Sequence, residues 1–152
     1  MQRKEDDIRF MRLALEEAGL AFSEGEVPVG AVLAVEGEII TKAHNQRERL
    51  NDPSAHAEVV ALREGAGIIG SWRLSDATLY VTKEPCIMCA GTMVNARLGR
   101  LVYGCRDSKG GAVESLYSIL SDARLNHQVE VVSGVLGEEC AGILKMFFQD
   151  RR

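Results

Sequence analysis

Two short motifs hold the residues best able to do chemistry: His56-Ala57-Glu58 and, 30 residues on, Pro85-Cys86-Ile87-Met88-Cys89. Cys86 and Cys89 are three residues apart, so on a helix their sulfurs share a face and can grip one metal ion. At a helix N-terminus the dipole stabilises their thiolates, as a metal would. His56, from the start of a different helix, can supply a third ligand. One His and two Cys make a zinc set whose fourth tetrahedral position stays open for water, the mark of a catalytic rather than a structural site. Glu58 adds a geometric requirement. Residues i and i+2 point about 200° apart inside a helix, so His56 and Glu58 can face one ion only at a first turn. Pro53-Ser54 just upstream supports a helix start there. Glu58 then stands beside the metal-bound water without ligating the metal. Zinc lowers that water's pKa towards neutrality, and the carboxylate can take its proton and return it to a leaving amine. Zinc hydroxide with such a carboxylate suits hydrolytic removal of an amino group from a heterocycle.

A Cys-x-x-Cys pair alone is also the spacing of a redox pair or of half a structural zinc site. A redox pair leaves His56-Ala57-Glu58 unexplained. A structural site needs a fourth ligand that only Cys105 or Cys140 could give, and both lie in apolar runs, residues 101–105 and 140–148, as core cysteines do. Taken together, the two motifs form the His-x-Glu and Pro-Cys-x-x-Cys pattern of zinc-dependent nucleobase deaminases.

Residues 5–23 place Ile8, Met11, Leu13, Leu15, Ala18 and Phe22 at mixed three- and four-residue spacings, predicting an amphipathic helix that Gly25 stops. Residues 29–35 are β-branched and apolar, and Glu36-Gly37 turns the chain into residues 38–43, a hairpin. A polar loop over 45–53 leads to a helix over 55–63, ended by Gly65, Gly67 and Gly70. A strand over 78–82 precedes a helix that Pro85 opens from its first position and that runs to residue 97. Then follow a strand at 100–105, a loop at 107–111, a short helix at 116–120, a strand at 129–132 and a final amphipathic helix at 138–150. This order predicts an α/β protein with one mixed sheet and helices on both faces. Strands joined by a helix should run parallel, leaving only the first pair antiparallel.

The chain has 152 residues, 46% apolar and 26% charged, which predicts a single domain over 1–152 and excludes collagen-like, low-complexity and disordered classes. Four cysteines are too few for a disulfide scaffold. No apolar run approaches the ~18 residues that cross a membrane. Residues 1–7 are charged and lack the apolar core of a signal peptide, so the expected setting is cytoplasmic, with no membrane partner. The net charge is −4, yet residues 97–113 hold Arg97, Arg100, Arg106 and Lys109 against Asp107, a local +3 suited to phosphate contacts.

Along nearly its whole length the sequence resembles the bacterial tRNA-specific adenosine deaminases, which convert the wobble adenosine of a tRNA anticodon to inosine. The resemblance rests on Glu26-Val27-Pro28-Val29-Gly30-Ala31-Val32, Asn45, Asp52-Pro53-Ser54-Ala55-His56-Ala57-Glu58 and Glu84-Pro85-Cys86-Ile87-Met88-Cys89-Ala90-Gly91. More specific are Arg106-Asp107-Ser108-Lys109-Gly110-Gly111, Asn126-His127 and Phe147-Phe148. It implies a cytidine deaminase-like three-layer αβα sandwich on a five-stranded mixed sheet. It implies one Zn2+ per subunit on His56, Cys86 and Cys89, with Glu58 as proton shuttle. Asn45 would hydrogen-bond the flipped base, Val29 and the backbone near Pro28 would line its pocket, and Asp107, Lys109, Asn126 and His127 would contact the anticodon stem-loop. A cytoplasmic homodimer is implied as well. Two departures stand out: Lys83 occupies a usually apolar position before Glu84-Pro85, and Gln149-Asp150 puts an acid where basic residues are common. A deaminase of free guanine, cytosine or cytidine would use the same zinc set, but has no evident need of the 106–111 loop or of Asn126-His127. A non-catalytic zinc-stabilised RNA-binding module would have no use for Glu58.

Overall fold

A computed structural model describes residues 2–151; Met1 and Arg152, the outermost residues of the single domain read over 1–152, lie outside it. The chain runs through α1 (Gln2–Ser23), β1 (Gly30–Val35), β2 (Glu38–His44), α2 (Arg47–Leu50), α3 (Ala57–Ile69), β3 (Ala77–Lys83), α4 (Ile87–Asn95), β4 (Arg100–Cys105), β5 (Glu130–Ser133) and α5 (Gly137–Asp150). The strands form one sheet in the order β2-β1-β3-β4-β5. Glu36 and Gly37 both take positive φ, 51° and 79°, the left-handed pair that a tight hairpin between β1 and β2 requires.

Adjacent strand residues point to opposite faces, and the two cores follow that pleat. Leu33, Leu79, Val81 and Leu101 pack against Ala61 and Leu62 of α3 and Met93 of α4. Their neighbours Val32, Tyr80 and Val102 pack against Phe10, Met11 and Ala14 of α1 and Cys140 of α5. The result is the expected three-layer α/β sandwich with a five-stranded mixed sheet.

Several local expectations fail for physical reasons. β1 is antiparallel to β3 as well as to β2, so the hairpin packs its first strand against β3 and a second antiparallel pair arises. Only β3, β4 and β5 are mutually parallel neighbours. Helix α3 passes through Gly65 and Gly67 and ends at Gly70, whose φ is 82°. Gly65 is a packing glycine rather than a stop: a Cβ there would stand 2.2 Å from Leu33 Cδ2. Close approach to the sheet outweighs the roughly 1 kcal/mol that an interior glycine costs a helix. Pro85 lies outside α4, and Cys86 is its N-cap. Residues 116–120 form only a single 3-10 turn, Ile119–Ser121, and the polar loop after β2 contains the one-turn helix α2.

Candidate active site

The pocket opens beyond the carboxyl ends of β3 and β4, where ligands settle in open α/β sheets. Here the N-termini of α3 and α4 converge. His56 is the N-cap of α3 and Cys86 that of α4, both with extended backbone, so their side chains leave at the helix mouths. Cys89 follows in the first turn of α4 and is fully buried. His56 Nδ1 lies 3.5 Å from Cys86 Sγ and 3.6 Å from Cys89 Sγ. All three candidate ligand atoms fall within 4.8 Å of one another. A tetrahedral ion with Zn–N of about 2.05 Å and Zn–S of about 2.3 Å needs N···S edges of about 3.6 Å, so this donor set fits zinc in both chemistry and spacing.

Glu58, in the first turn of α3, is only 4% exposed and lines the same pocket. Burial raises its carboxyl above the usual range, against the pull of the nearby His56. The two thiols share a hydrogen bond that shifts them in opposite directions. The hydrogen bond from Cys89 and a second contact with His56 hold Cys86 down to about 3 despite burial. That same bond, with burial and the Glu58 charge, pushes Cys89 far upward. The bond to Cys86 also raises His56. A cation at their centre would displace the shared proton.

The cavity of about 300 Å³ is at the small end of ligand pockets, with room for one nucleotide-sized group. Val29 lines it and is simultaneously part of the α3/α4 core. Asn45 also lines it, only 7% exposed. Asn45 Nδ2 donates to the Val27 carbonyl at 3.2 Å and its Oδ1 accepts the Arg47 N–H at 3.2 Å, which fixes the amide plane. Asp107 reaches the pocket from the loop after β4.

Of the other residues expected at the site, Lys109, Asn126 and His127 lie elsewhere, while the chain around Pro28 does border the cavity. Pro28 is buried but does not line the cavity; Val27 and Val29 on either side of it do. Lys109 is exposed beyond the rim. Asn126 is exposed before β5, and His127 Nε2 is spent on the Leu98 carbonyl at 2.7 Å. Leu98 precedes β4, so this pair lies at the opposite end of the sheet, roughly 20 Å from the pocket along a six-residue strand. The basic segment is divided the same way. Arg97 and Arg100 sit at the far end, where Arg100 donates two hydrogen bonds of 2.7 and 2.8 Å to buried Asp7. Only Arg106 and Lys109 remain near the pocket end.

Beside the pocket, two buried acids among the described residues, Glu84 and Glu26, are given no role by the sequence. Glu84 Oε1 accepts the Asp107 N–H, and its Oε2 accepts the N–H groups of Val113, Glu114 and Ser115, at 2.8–3.1 Å. Burial opposes its ionisation, but these bonds and the Ser115 hydroxyl bring it down to about 2. The loop is therefore wound around a carboxylate, so tightly that a Cβ on Gly111 would meet it at 2.3 Å. Glu26, 1% exposed, accepts the Glu48 and Arg49 N–H groups and holds α2 beside the pocket. Both acids open motifs that carry the resemblance, yet no role for either side chain could be read from the sequence. Arg47, Lys83 and Phe148 complete the pocket wall.

A three-layer sandwich with a His/Cys/Cys set and a buried glutamate defines a class, and sequence comparison agrees: the model of the MafB19-like deaminase family matches residues 5–152. The chain belongs to this deaminase family. Within it, the chain stands among sequences named tRNA-specific adenosine deaminase. One from Bacillus subtilis is 51% identical over 146 residues, covering 96% of this chain and 91% of the relative. Another, from Haemophilus influenzae, is 50% identical over 151 residues, covering 99% and 87%. A solved structure from work on A-to-I editing by tRNA:A34 deaminases at the wobble position of transfer RNA superposes with a TM-score of 0.86. It is 46% identical and covers 89% of this chain and 98% of that one.

Proposed function

We propose that the protein is a zinc-dependent hydrolase that deaminates adenosine to inosine at the wobble position of a tRNA anticodon loop. The observation that carries this reading is the convergence of His56 Nδ1 and the two sulfurs on one pocket with Glu58 buried beside them. The likeness to the tRNA-specific adenosine deaminases supplies the substrate. His56, Cys86 and Cys89 would hold the ion. When bound, zinc supplies Lewis acidity that brings a water's pKa from 15.7 towards about 7.

Glu58 takes a proton from the attacking water and delivers it to the departing amino nitrogen. A C6–O bond forms, the C6–N bond breaks, and ammonia leaves. Burial raises the carboxyl's proton affinity, which suits a group that must hold a proton between the two steps. Asn45, its plane fixed by Val27 and Arg47, is placed to hydrogen-bond the base edge. Val29 gives an apolar wall that excludes competing water. Asp107 and Lys109 belong to the loop that meets the RNA. Asn126 and His127 can meet only RNA or protein remote from this chain's pocket. An anticodon loop presents its bases unstacked, so little is spent on flipping.

The assembly we propose is a homodimer in the cytoplasm. The apolar groove between α3 and α4, with Leu62, Ala66 and the 62%-exposed Trp72, offers a face for the second copy. Free thiols at all four cysteines suit a reducing compartment. No helix among the described residues is long and apolar enough to cross a membrane.

The test is nucleoside mass spectrometry after incubating zinc-loaded protein with an anticodon stem-loop bearing the wobble adenosine. Free guanine, cytosine, adenosine and cytidine run in parallel. Inosine at that single position, with the small molecules untouched, is the expected result. Turnover of a free base or nucleoside with the RNA intact would move the function to salvage.

A further inference from the structure

Lys83 is the pocket residue that neither packing nor the deamination chemistry explains. On β3, Leu79 and Val81 are fully buried against α3 and α4, and the same row ends two residues later in Lys83. Packing alone would continue that row with an apolar side chain. Instead an ammonium, its side chain 30% exposed, enters the wall shared with His56 and Glu58. Desolvating it carries a cost. Its ion-pair partner among the described residues is Asp107, with Nζ 3.1 Å from Oδ2. The loop does not depend on that pair. Asp107 Oδ1 already accepts the Lys109 and Gly110 N–H groups, and Glu84 fastens the loop backbone. Lys83 and Arg47 are the two Lys/Arg cations of the pocket among the described residues, in a chain of net charge −4.

Resting on the tRNA-deaminase reading, we infer that Lys83 is a substrate-contacting, specificity-determining residue whose ammonium takes a phosphodiester next to the target nucleotide. Asp107 keeps the ammonium extended in the pocket mouth until the polyanion arrives. The contact gives an acidic protein a local anchor for RNA. It also separates a nucleotide within a strand from a free base or nucleoside, which has no phosphate to offer.

The test compares wild type with Lys83→Leu, Lys83→Gln and Lys83→Arg, each zinc-loaded. Lys42→Leu removes the same charge from the exposed part of β2 as a control for net charge. Stem-loop binding by fluorescence anisotropy and kcat and KM for inosine formation are measured from 50 to 300 mM KCl. Lys83→Leu and Lys83→Gln should flatten the slope of log affinity against log salt by about 0.7, the value for one phosphate contact on a single strand. KM should rise roughly five-fold at low salt with kcat unchanged, while Lys83→Arg and Lys42→Leu keep the wild-type slope. An unchanged slope in both neutral variants would overturn the contact, whatever happens to KM, because a lysine acting only through Asp107 releases no counterion. The two readings fail separately. Salt-dependent binding without turnover would refute the activity, and turnover with an unaltered Lys83→Leu slope would refute this residue's role.

Discussion

Replacing Glu84 tests whether a single buried carboxylate builds the wall of the pocket. Its Oε2 accepts three backbone N–H groups, from Val113 at 3.1 Å, Glu114 at 2.8 Å and Ser115 at 2.9 Å, while Oε1 accepts the Asp107 N–H at 3.0 Å. In Glu84→Gln the amide oxygen can keep the three-donor side. Its NH2 group then faces the Asp107 N–H, donor against donor, whereas the Ser115 hydroxyl can rotate to accept. One bond is lost and three lose their charge assistance, which together cost about 2 kcal/mol. Glu84→Ala strands all four backbone donors as well as the Ser115 hydroxyl. Val113 is buried and bears the full penalty, while the others can be rehydrated, so the loss is on the order of 4 kcal/mol. Against a typical stability of about 5–15 kcal/mol, the glutamine variant folds and the alanine variant is marginal. Urea midpoints give the stability order, and amide hydrogen exchange at residues 107 and 113–115 locates the loosening. The stem-loop KM should rise while zinc content stays at one per chain. Gly111→Ala, which intrudes on the same carboxylate, should reproduce the exchange pattern. Wild-type protection of those amides in Glu84→Gln, with KM unchanged, would refute the idea that the loop is wound on this side chain.

Three further perturbations address the site and the sheet beside it. Glu58→Gln should retain zinc and thermal stability while kcat falls by about 10²–10⁴-fold, as expected for loss of a positioned proton carrier; near-normal turnover would remove Glu58 from the mechanism. Cys86→Ala should lower zinc content by mass spectrometry and reduce the melting temperature, because metal binding couples to folding; full metal content would contradict the ligand assignment. His44 is buried at the end of β2 with its two ring nitrogens 3.0 Å from Glu17 and Glu24. Burial lowers its pKa, but the two carboxylates outweigh it and the net shift is upward from 6.5. A raised folded-state pKa means the stabilisation is fully present below about 6.5 and lost as pH climbs through the folded value. The urea-midpoint gap between wild type and His44→Gln should therefore narrow from pH 6 to pH 9, and a gap that widened would reverse the sign.

Side-chain patterns make the fold legible in the sequence as far as side chains decide structure. The apolar row of β4 and the Glu36-Gly37 turn are legible because alternation and positive φ are local properties. The candidate metal set is legible because its spacing presupposes helix starts, and His56 and Cys86 cap α3 and α4. What stays hidden depends on remote backbone. Glu84 accepts donors 23 to 31 residues away, and Glu26 accepts donors 22 and 23 residues away. No periodicity registers a carboxylate whose partners are main-chain N–H groups. The same reason splits the basic segment: residues 97–113 are contiguous in sequence, but β4 carries Arg100 and Arg106 to opposite ends of the sheet. Asn126 and His127 fall on the far side by that rule, and Gly65 misleads because its function is set by Leu33 on a strand 32 residues earlier. Strand direction is the deepest case. Whether β1 lies beside β3 depends on which strand the hairpin packs against, and that choice puts Gly30 and its neighbours Val29 and Asn45 beside the carboxyl end of β3. The pocket is therefore a product of sheet order, and the motifs alone could name its residues without showing why they meet.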